Sequence, residues 1–450
     1  MAKIIENSFH IISLGCAKNL VDSHGMSRLL QQNDLVEVQE PSRARFLILN
    51  TCGFISSARQ ESLDVLRKLS RSKKNGQFLI AAGCMSQRYQ SSLLDQVHGI
   101  DAMLGTRRWM DIHHVLENLI QGDTKMRPYL HFPPALSMGM DKKGSPAIAI
   151  QGKSSYLKIA DGCRRPCAYC AIPLIKGPLI SRPADDIVSD MLFLQDQGIQ
   201  EVNVIAQDVT DYGHDLGIKD GLLSLLTEMV KAAPNIPWIR LLYTFPGFNV
   251  NGLIALLRSY PQILPYIDIP LQHADPRVLR AMQRPSNIEL VKAALLTLRA
   301  QIPGLTLRTT FIVGFPGETD LEFETLINFI TEIRFDHLGA FVYSLEEGTP
   351  AEILGDPVPK VVKEERLSIL METQAQIASQ INQTLVGTNM DILIEGLDIQ
   401  QGILVGRSKR DAPEVDGLVI AHGKGQVGEI LKVKINGAIE YDLIGSIVEN

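Results

Sequence analysis

All six cysteines of this 450-residue chain stand where a thiolate could do chemistry. Cys163, Cys167 and Cys170 are gathered in DGCRRPCAYC, directly after an apolar segment, 156–160, that reads as a strand. Spacing this tight on a loop lets three thiolates reach one compact iron–sulfur cluster without long-range closure. Three protein ligands for four irons leave one iron open to an external ligand. A four-cysteine zinc motif needs a fourth ligand near by, and the sequence offers none there. The plainer alternative is a redox CxxC, Cys167 with Cys170, plus an incidental third cysteine. That motif ordinarily opens a helix in a thioredoxin-like unit.

Cys16, Cys52 and Cys84 are far apart, and scattered cysteines are usually small core hydrophobes. Their context argues otherwise, because each ends an apolar run: HIISLGC, FLILNTC and FLIAAGC. In an open parallel sheet the carboxyl ends of the strands lie along one edge, where ligand sites form. Three cysteines at that edge can converge despite their separation in sequence. The flanking Gly15, Thr51 and Gly83 are small and leave room beside each thiolate. A second cluster with an open iron follows.

The elements that must position these residues fall into three groups. Residues 8–130 alternate predicted strands (9–14, 46–49, 78–82) with helices such as 21–32 and 58–69, which predicts a doubly wound parallel α/β sheet. Residues 131–150, rich in proline and glycine, read as a linker. From 151 to 382 six further strands are predicted, at 156–160, 202–206, 238–243, 266–270, 307–313 and 338–343. Helices such as 184–197 and 320–333 lie between them, and 361–385 closes the series. Six units are too few for a closed eight-stranded barrel, so a partial (β/α)6 TIM-type barrel is expected. Residues 383–450 are short strands punctuated by glycine, the pattern of a small β-barrel of OB type. The fold class is therefore α/β multidomain.

Composition sets the outer bounds. Mean hydropathy is +0.06, 45% of residues are hydrophobic and 21% charged, as in a soluble globular protein. No apolar run is long enough to span a bilayer. The start, MAKIIENSFHIISLG, lacks signal-peptide features, so a cytoplasmic location is the default. A reducing compartment favours metal binding or catalysis over structural disulfides. The net charge of −6 argues against a strongly basic nucleic-acid binder. From Gln383 onward there are 6 Lys/Arg against 10 Asp/Glu, so the acidic excess is concentrated in the tail.

CxxxCxxC after a first barrel strand resembles the radical S-adenosylmethionine superfamily. There the open iron is chelated by the amino and carboxylate groups of the cofactor's methionine moiety, and an electron breaks a C–S bond to release a 5′-deoxyadenosyl radical. The whole chain is similar to the methylthiotransferases, whose three dispersed cysteines precede a radical domain and a small barrel called TRAM. Family features stand in order: SLGCAKNLVDS, NTCGFISSARQES, AAGCMSQRY, DGCRRPCAYCAIP, SRP, NVIAQDVTDYG, IDIPLQHA, LRTTFIVGFPGET and FVYSLEEGTPA. The resemblance implies two 4Fe-4S clusters and S-adenosylmethionine as cofactors. Cys163, Cys167 and Cys170 would hold the cluster that cleaves the cofactor, and Cys16, Cys52 and Cys84 the auxiliary one. Tyr169, Gln207, Arg308, Gly314 and Gly317 are the residues expected to contact S-adenosylmethionine. Tyr169 would stack near adenine, and the GFPGE turn would allow close backbone approach. Thr244, Gln272, His273, Asp208 and Glu318 also lie at strand ends that face such a site. A satisfied structural role is the plainer reading for His273, and a helix cap for the two carboxylates.

Two branches of the family differ in substrate. One modifies an adenosine next to the tRNA anticodon, and its first-cysteine segment commonly reads FGCQMN. The other modifies the β-carbon of an aspartate in a small-subunit ribosomal protein, and SLGCAKNLVDS resembles that branch, with His24 where it usually has glutamate. The acidic tail, Asp391, Glu395, Asp398, Asp411, Glu414 and Asp416 among it, would repel tRNA and attract a basic ribosomal protein. An external electron donor and sulfur source are implied, with no membrane and no nucleic-acid substrate. The alternatives are the tRNA methylthiotransferase and a non-catalytic two-cluster electron carrier.

Overall fold

The computed structural model describes residues 3–122, 127–133, 146–398 and 400–448. Most of the expected linker, 134–145, lies outside the described residues. In the N-terminal domain the strands are β1 (Ser8–Ser13), β2 (Val36–Glu37), β3 (Phe46–Thr51), β4 (Phe78–Gly83), β5 (Ala102–Gly105) and β6 (Tyr129–His131). They form one parallel sheet in the order β2-β1-β3-β4-β5-β6. The helices are α1 (Ala17–Gln31), α2 (Ser56–Ser72), α3 (Cys84–Tyr89), α4 (Ser92–Gln96) and α5 (Ile112–Gln121).

Alternate residues of each strand feed two separate cores. Phe46 and Ile48 pack with Met26 and Leu30 of α1 and Val115 of α5, while Leu47 and Leu49 pack with Leu63 and Leu66 of α2. Both faces are covered, which is why these strands read as unbroken apolar runs. The chain reverses direction across the sheet between β1 and β3, and a parallel sheet opens a crevice at such a point. Cys16 and Cys52 flank it.

The second sheet has seven strands: β7 (Ile148–Gln151), β8 (Ser154–Lys158), β11 (Glu201–Ile205), β12 (Trp238–Leu241), β13 (Ile263–Asp268), β14 (Thr306–Val313) and β15 (His337–Val342). Six are parallel, as an open (β/α)6 barrel requires, and β7 adds an antiparallel edge beside β8 that the sequence did not announce. A short pair, β9 (Ala160–Asp161) with β10 (Ile180–Ser181), brackets the cysteine loop. Helices α6 (Ile172–Lys176), α7 (Ala184–Asp196), α8 (Gly221–Ala232), α9 (Val250–Ser259), α10 (Pro276–Ala281), α11 (Ile288–Gln301), α12 (Asp320–Ile333) and α13 (Lys360–Gln383) follow. Among the described residues no helix is long and apolar enough to cross a membrane. The last five strands, β16 (Asn389–Asp398), β17 (Ile403–Ser408), β18 (Val419–His422), β19 (Ile430–Ile439) and β20 (Asp442–Ile447), close into a barrel.

The three units meet inside the open barrel. Ala17 and Val21 of α1 enter one core with Tyr156, Trp238 and Tyr266 of the barrel strands and Leu393 and Ala412 of the C-terminal unit. Behind them sits a buried quartet of alternating charge. Asp22 of α1 contacts Lys158, and Lys176 at 2.9 Å, while Asp161 lies 3.1 Å from Lys158 and 3.2 Å from Lys176. Burial alone would push the Asp161 carboxyl up, but Lys158 and Lys176 outweigh it and bring it down to about 2.

The acidic tail is in part a charged surface and in part buried. Its carboxylates divide: Asp411 and Asp416 turn inward, while Asp391 is half-buried and Glu395, Asp398 and Glu414 are exposed. Asp416 accepts from Tyr266 Oη at 2.6 Å and pairs with Arg308 at 3.2 Å, and Asp411 accepts from Ser408. Glu395 pairs with Arg407, Asp391 with Lys409, and Glu414 accepts from Gln151. Asp398 caps its own turn through the N–H groups of Gln400 and Gln401. A net charge counts side chains without saying where they point, and here Arg308 and Arg407 take up Asp416 and Glu395.

Candidate functional site

Each cysteine of the first set sits at the carboxyl end of a strand. Cys16 follows β1 and occupies the N-terminal cap of α1, Cys52 follows β3, and Cys84 follows β4 as the first residue of α3. Two glycines make the convergence possible. Gly15 has φ +91°, and a Cβ on it would lie 2.9 Å from the Cys52 Sγ. Gly83 has φ +96°, and a Cβ there would run into Asn50 and Thr51.

Asn19 ties the three loops together, a task the sequence reading missed although it quoted the residue. Its Nδ2 donates to the carbonyls of Leu14 (2.9 Å) and Thr51 (3.0 Å), and its Oδ1 accepts from the Cys84 thiol at 3.4 Å. Ser62 holds the Cys52 backbone from both sides, accepting its N–H and donating to its carbonyl. Burial pushes the Cys52 thiol up, and the Cys84 thiol up to about 12.

The second set lies on the loop between β9 and α6. Cys163 Sγ accepts the Arg165 N–H at 3.4 Å and Cys170 Sγ the Ile172 N–H at 3.5 Å. Cys167 Sγ faces a side-chain donor, Arg284 Nη1, at 3.6 Å. Burial lifts Cys163 to about 11 and Cys170 to about 12. Arg284 is itself buried and stacks 4.2 Å from the Phe245 ring, whose other contact is Arg165 at the same distance. Nothing in the QRPSN segment marked Arg284 beforehand. Arg164 and Arg165 anchor the loop on Asp211 and Asp208, each at 2.7 Å.

The two sets face one another. Cys84 packs against Ala171 and Ile175, and Ala171 is the residue after Cys170. Around this contact Arg88 bridges to Glu346 at 2.8 Å, and Arg107 donates to the carbonyls of Ile175 and Leu174. All six thiols are free of disulfides. Among the described residues no three His, Cys, Asp or Glu groups close in on a single metal ion. A four-iron cluster spreads its thiolates wider than one ion does. The second set's inward N–H donors and the first set's small neighbours suit sulfur ligands of such a cluster.

The residues expected at the organic cofactor divide. Tyr169 packs beside Ala168, Phe315 and Tyr343, and burial raises its phenol well above the ordinary value. Gln207 is half-buried two residues beyond β11. Gly317 has φ +86°, with only Arg277 near the place of a Cβ. Gly314 is different: its N–H donates to Glu318 at 2.9 Å, and the space a Cβ would need is filled by Lys363 of α13. The close approach there is made by a lysine stem. Arg308 is engaged with Asp268 at 2.9 Å and with Asp416, so it clamps domains together.

His273 is only half satisfied, since its buried Nε2 makes no hydrogen bond. It is fully buried, accepts the Asp275 N–H on Nδ1 and turns Nε2 toward Glu318 at 3.3 Å. Asp208 caps the turn at Thr210, and Glu318 is paired with Arg366 at 2.7 Å. Thr244 donates to the Asp268 carbonyl. Tyr243 and Gln272, just past β12 and β13, adopt φ +65° and +75°, a conformation that side chains other than glycine seldom take.

Lys18 is the residue least expected here. Only 5% exposed, it projects from the first turn of α1 so that Nζ lies 3.1 Å from the centroid of the Tyr243 ring.

Three stretches of the chain match known families. Residues 8–105 match an uncharacterized protein family, UPF0004; 157–330 match the Radical SAM superfamily; and 386–448 match the TRAM domain. The chain is 42% identical to the ribosomal protein uS12 methylthiotransferase RimO of Roseiflexus sp. (strain RS-1), over 98% of this chain and 97% of that one. Proteins of the same name from Syntrophus aciditrophicus and Geotalea uraniireducens are 42% and 39% identical, covering 99% and 100% of each chain. Among solved structures it is similar to the radical S-adenosylmethionine methyltransferase TsrM from Kitasatospora setae, with cobalamin and a 4Fe-4S cluster bound. The TM-score is 0.56 at 13% identity, over 86% of this chain and 81% of that one, a likeness of fold.

Proposed function

Because this chain belongs to the ribosomal protein uS12 methylthiotransferase family, we propose that it adds a methylthio group to the β-carbon of an aspartate in that small-subunit protein. The family's cofactors are S-adenosylmethionine and 4Fe-4S clusters. When bound, they supply the electron, the abstraction of hydrogen from an unactivated C–H bond, the sulfur and the methyl group.

The chain's own residues hold and orient. In this reading Cys163, Cys167 and Cys170 ligate the cluster that binds S-adenosylmethionine, and Arg284 steadies Cys167. Cys16, Cys52 and Cys84 ligate the auxiliary cluster that presents sulfur. Tyr169, Gln207 and Gly317 border the S-adenosylmethionine pocket, while Gly314 and Arg308 keep its walls in place. An external donor supplies electrons and an external source replaces sulfur. The work is done in the cytoplasm, on protein rather than nucleic acid.

One observation carries the reading: Cys84 shares a buried cluster with Ala171, next to Cys170. A sulfur carried at one set of thiols and a radical made at the other can then reach the same carbon, as group transfer between them demands. The test compares intact masses of ribosomal proteins from cells with and without the gene. Loss of one methylthio group from uS12 is the expected result. An unchanged uS12, with altered tRNA nucleosides, would overturn it.

A further inference from the structure

The mouth of the barrel holds a buried lysine, Lys18, whose strongest charged neighbour is Cys16 of the auxiliary set. Among the described residues Lys18 makes no hydrogen bond and no ion pair; its partner is the Tyr243 ring. Burial works against its charge, and the anions that favour it are Cys16, which the reading above commits to the auxiliary cluster, and then Asp268 and Asp161, both of them committed. Asp268 is held by Arg308 and the Tyr243 N–H. Asp161 is held by Lys158, Lys176 and the Gly162 N–H. An ammonium so placed has given up its water and gained a π face, with no hydrogen bond to a carboxylate, in return.

Its surroundings say what it faces. Cys16 of the auxiliary set is two residues before it, Asp161 is two residues before Cys163, and Tyr243 stands just beyond the carboxyl end of β12. Lys18 is thus close to Cys16 of one set and to Asp161, on the short strand that leads to Cys163 of the other. We propose that Lys18 receives the carboxylate of the target aspartate and thereby holds the neighbouring β-carbon between the two clusters.

This rests on the functional reading above and deepens it. The carbon to be substituted is bonded to the carboxylate carbon, so a charge-assisted contact to that group fixes the distance and the face presented. It also supplies selectivity. Asparagine has the same shape without the charge, and would leave the ammonium unpaired.

The experiment uses full-length, cluster-loaded protein without S-adenosylmethionine. It is titrated with purified uS12 and with uS12 whose modified aspartate, located by peptide mass, is replaced by asparagine. Wild type should bind the asparagine form about tenfold or more weakly, the worth of one charge-assisted contact. Lys18→Met should bind both forms alike, at the weaker level, and Lys18→Arg should recover part of the preference. Equal binding of both forms by wild type overturns the proposal, whatever the variants do. So does a Lys18→Met protein that keeps the preference and alters only the auxiliary cluster's potential or the affinity for S-adenosylmethionine. If Lys18→Met loads no clusters, the asparagine-substituted uS12 decides alone. Wild type that leaves uS12 unmodified removes the functional reading itself, whereas modification without the preference removes only the role of Lys18.

Discussion

Arg407, carried by the C-terminal barrel, reaches into the radical domain and closes on Glu201, the first residue of β11, at 2.6 Å and 3.2 Å. Arg240 of β12 grips the same carboxylate at 2.9 Å. Burial would raise the Glu201 carboxyl, but Arg240 and then Arg407 bring it down to about 2. A depressed carboxylate stabilises the fold above its unfolded value and loses that contribution as pH falls through its folded one. Docking of the C-terminal barrel should thus survive from neutral pH to about pH 3 and fail as pH approaches 2. Protease cleavage near Gln383 along a pH series would show this. Arg407→Leu leaves Glu201 with Arg240 alone and takes the partner of Glu395 away, and should cost about 3 kcal/mol in denaturant unfolding.

The quartet of Asp22, Lys158, Asp161 and Lys176 makes a second prediction. Asp22→Asn leaves two buried ammonium groups sharing one carboxylate, which should cost about 3–5 kcal/mol. Replacing Asp22 and Lys158 together with leucine and methionine keeps the remaining pair balanced and should cost less than Asp22→Asn alone. Chemical denaturation of the three proteins checks the order.

Alanine at Cys84 should remove one cluster, about four of eight irons, and abolish methylthiolation. Some uncoupled cleavage of S-adenosylmethionine should persist, because the loop of Cys163, Cys167 and Cys170 is intact. Alanine at Cys167 should abolish both activities. Iron content and 5′-deoxyadenosine formation separate the cases, and equal loss of cleavage in both variants would refute the division of labour.

Arg284 bears on redox poise. A cationic N–H aimed at a ligating sulfur stabilises the more negative, reduced state of a cluster. Arg284→Gln should therefore lower the reduction potential of the radical cluster and leave that of the auxiliary cluster in place. Redox titration followed by electron paramagnetic resonance distinguishes the two.

The parts legible from sequence are those set by near neighbours. CxxxCxxC announces itself, and apolar runs ending in cysteine mark the sheet edge, because strand period and loop spacing are local. What escaped was set from far away. The first helix was expected at 21–32 but starts at Ala17, since Lys18, Asn19 and Asp22 look like solvated residues until their partners are known. Asp22 meets Lys158 across 136 positions of chain and Lys176 across 154. The SLGCAKN segment contained Lys18 and Asn19, yet only the cysteine stood out. Asp416 escaped for the same reason, its partner Arg308 lying in another domain.

Helix α1 has polar residues on its buried side and no wide face left for water. Its consequence is temporal. A ribosome making this chain releases the first sheet well before Lys158, Lys176 and Ala412 exist, and domains tend to fold as they emerge. During that interval the strand ends bearing Cys16, Cys52 and Cys84 have no lid. Iron and sulfide would meet them most readily then, so the order of synthesis gives the auxiliary site an early window for assembly that docking afterwards shuts.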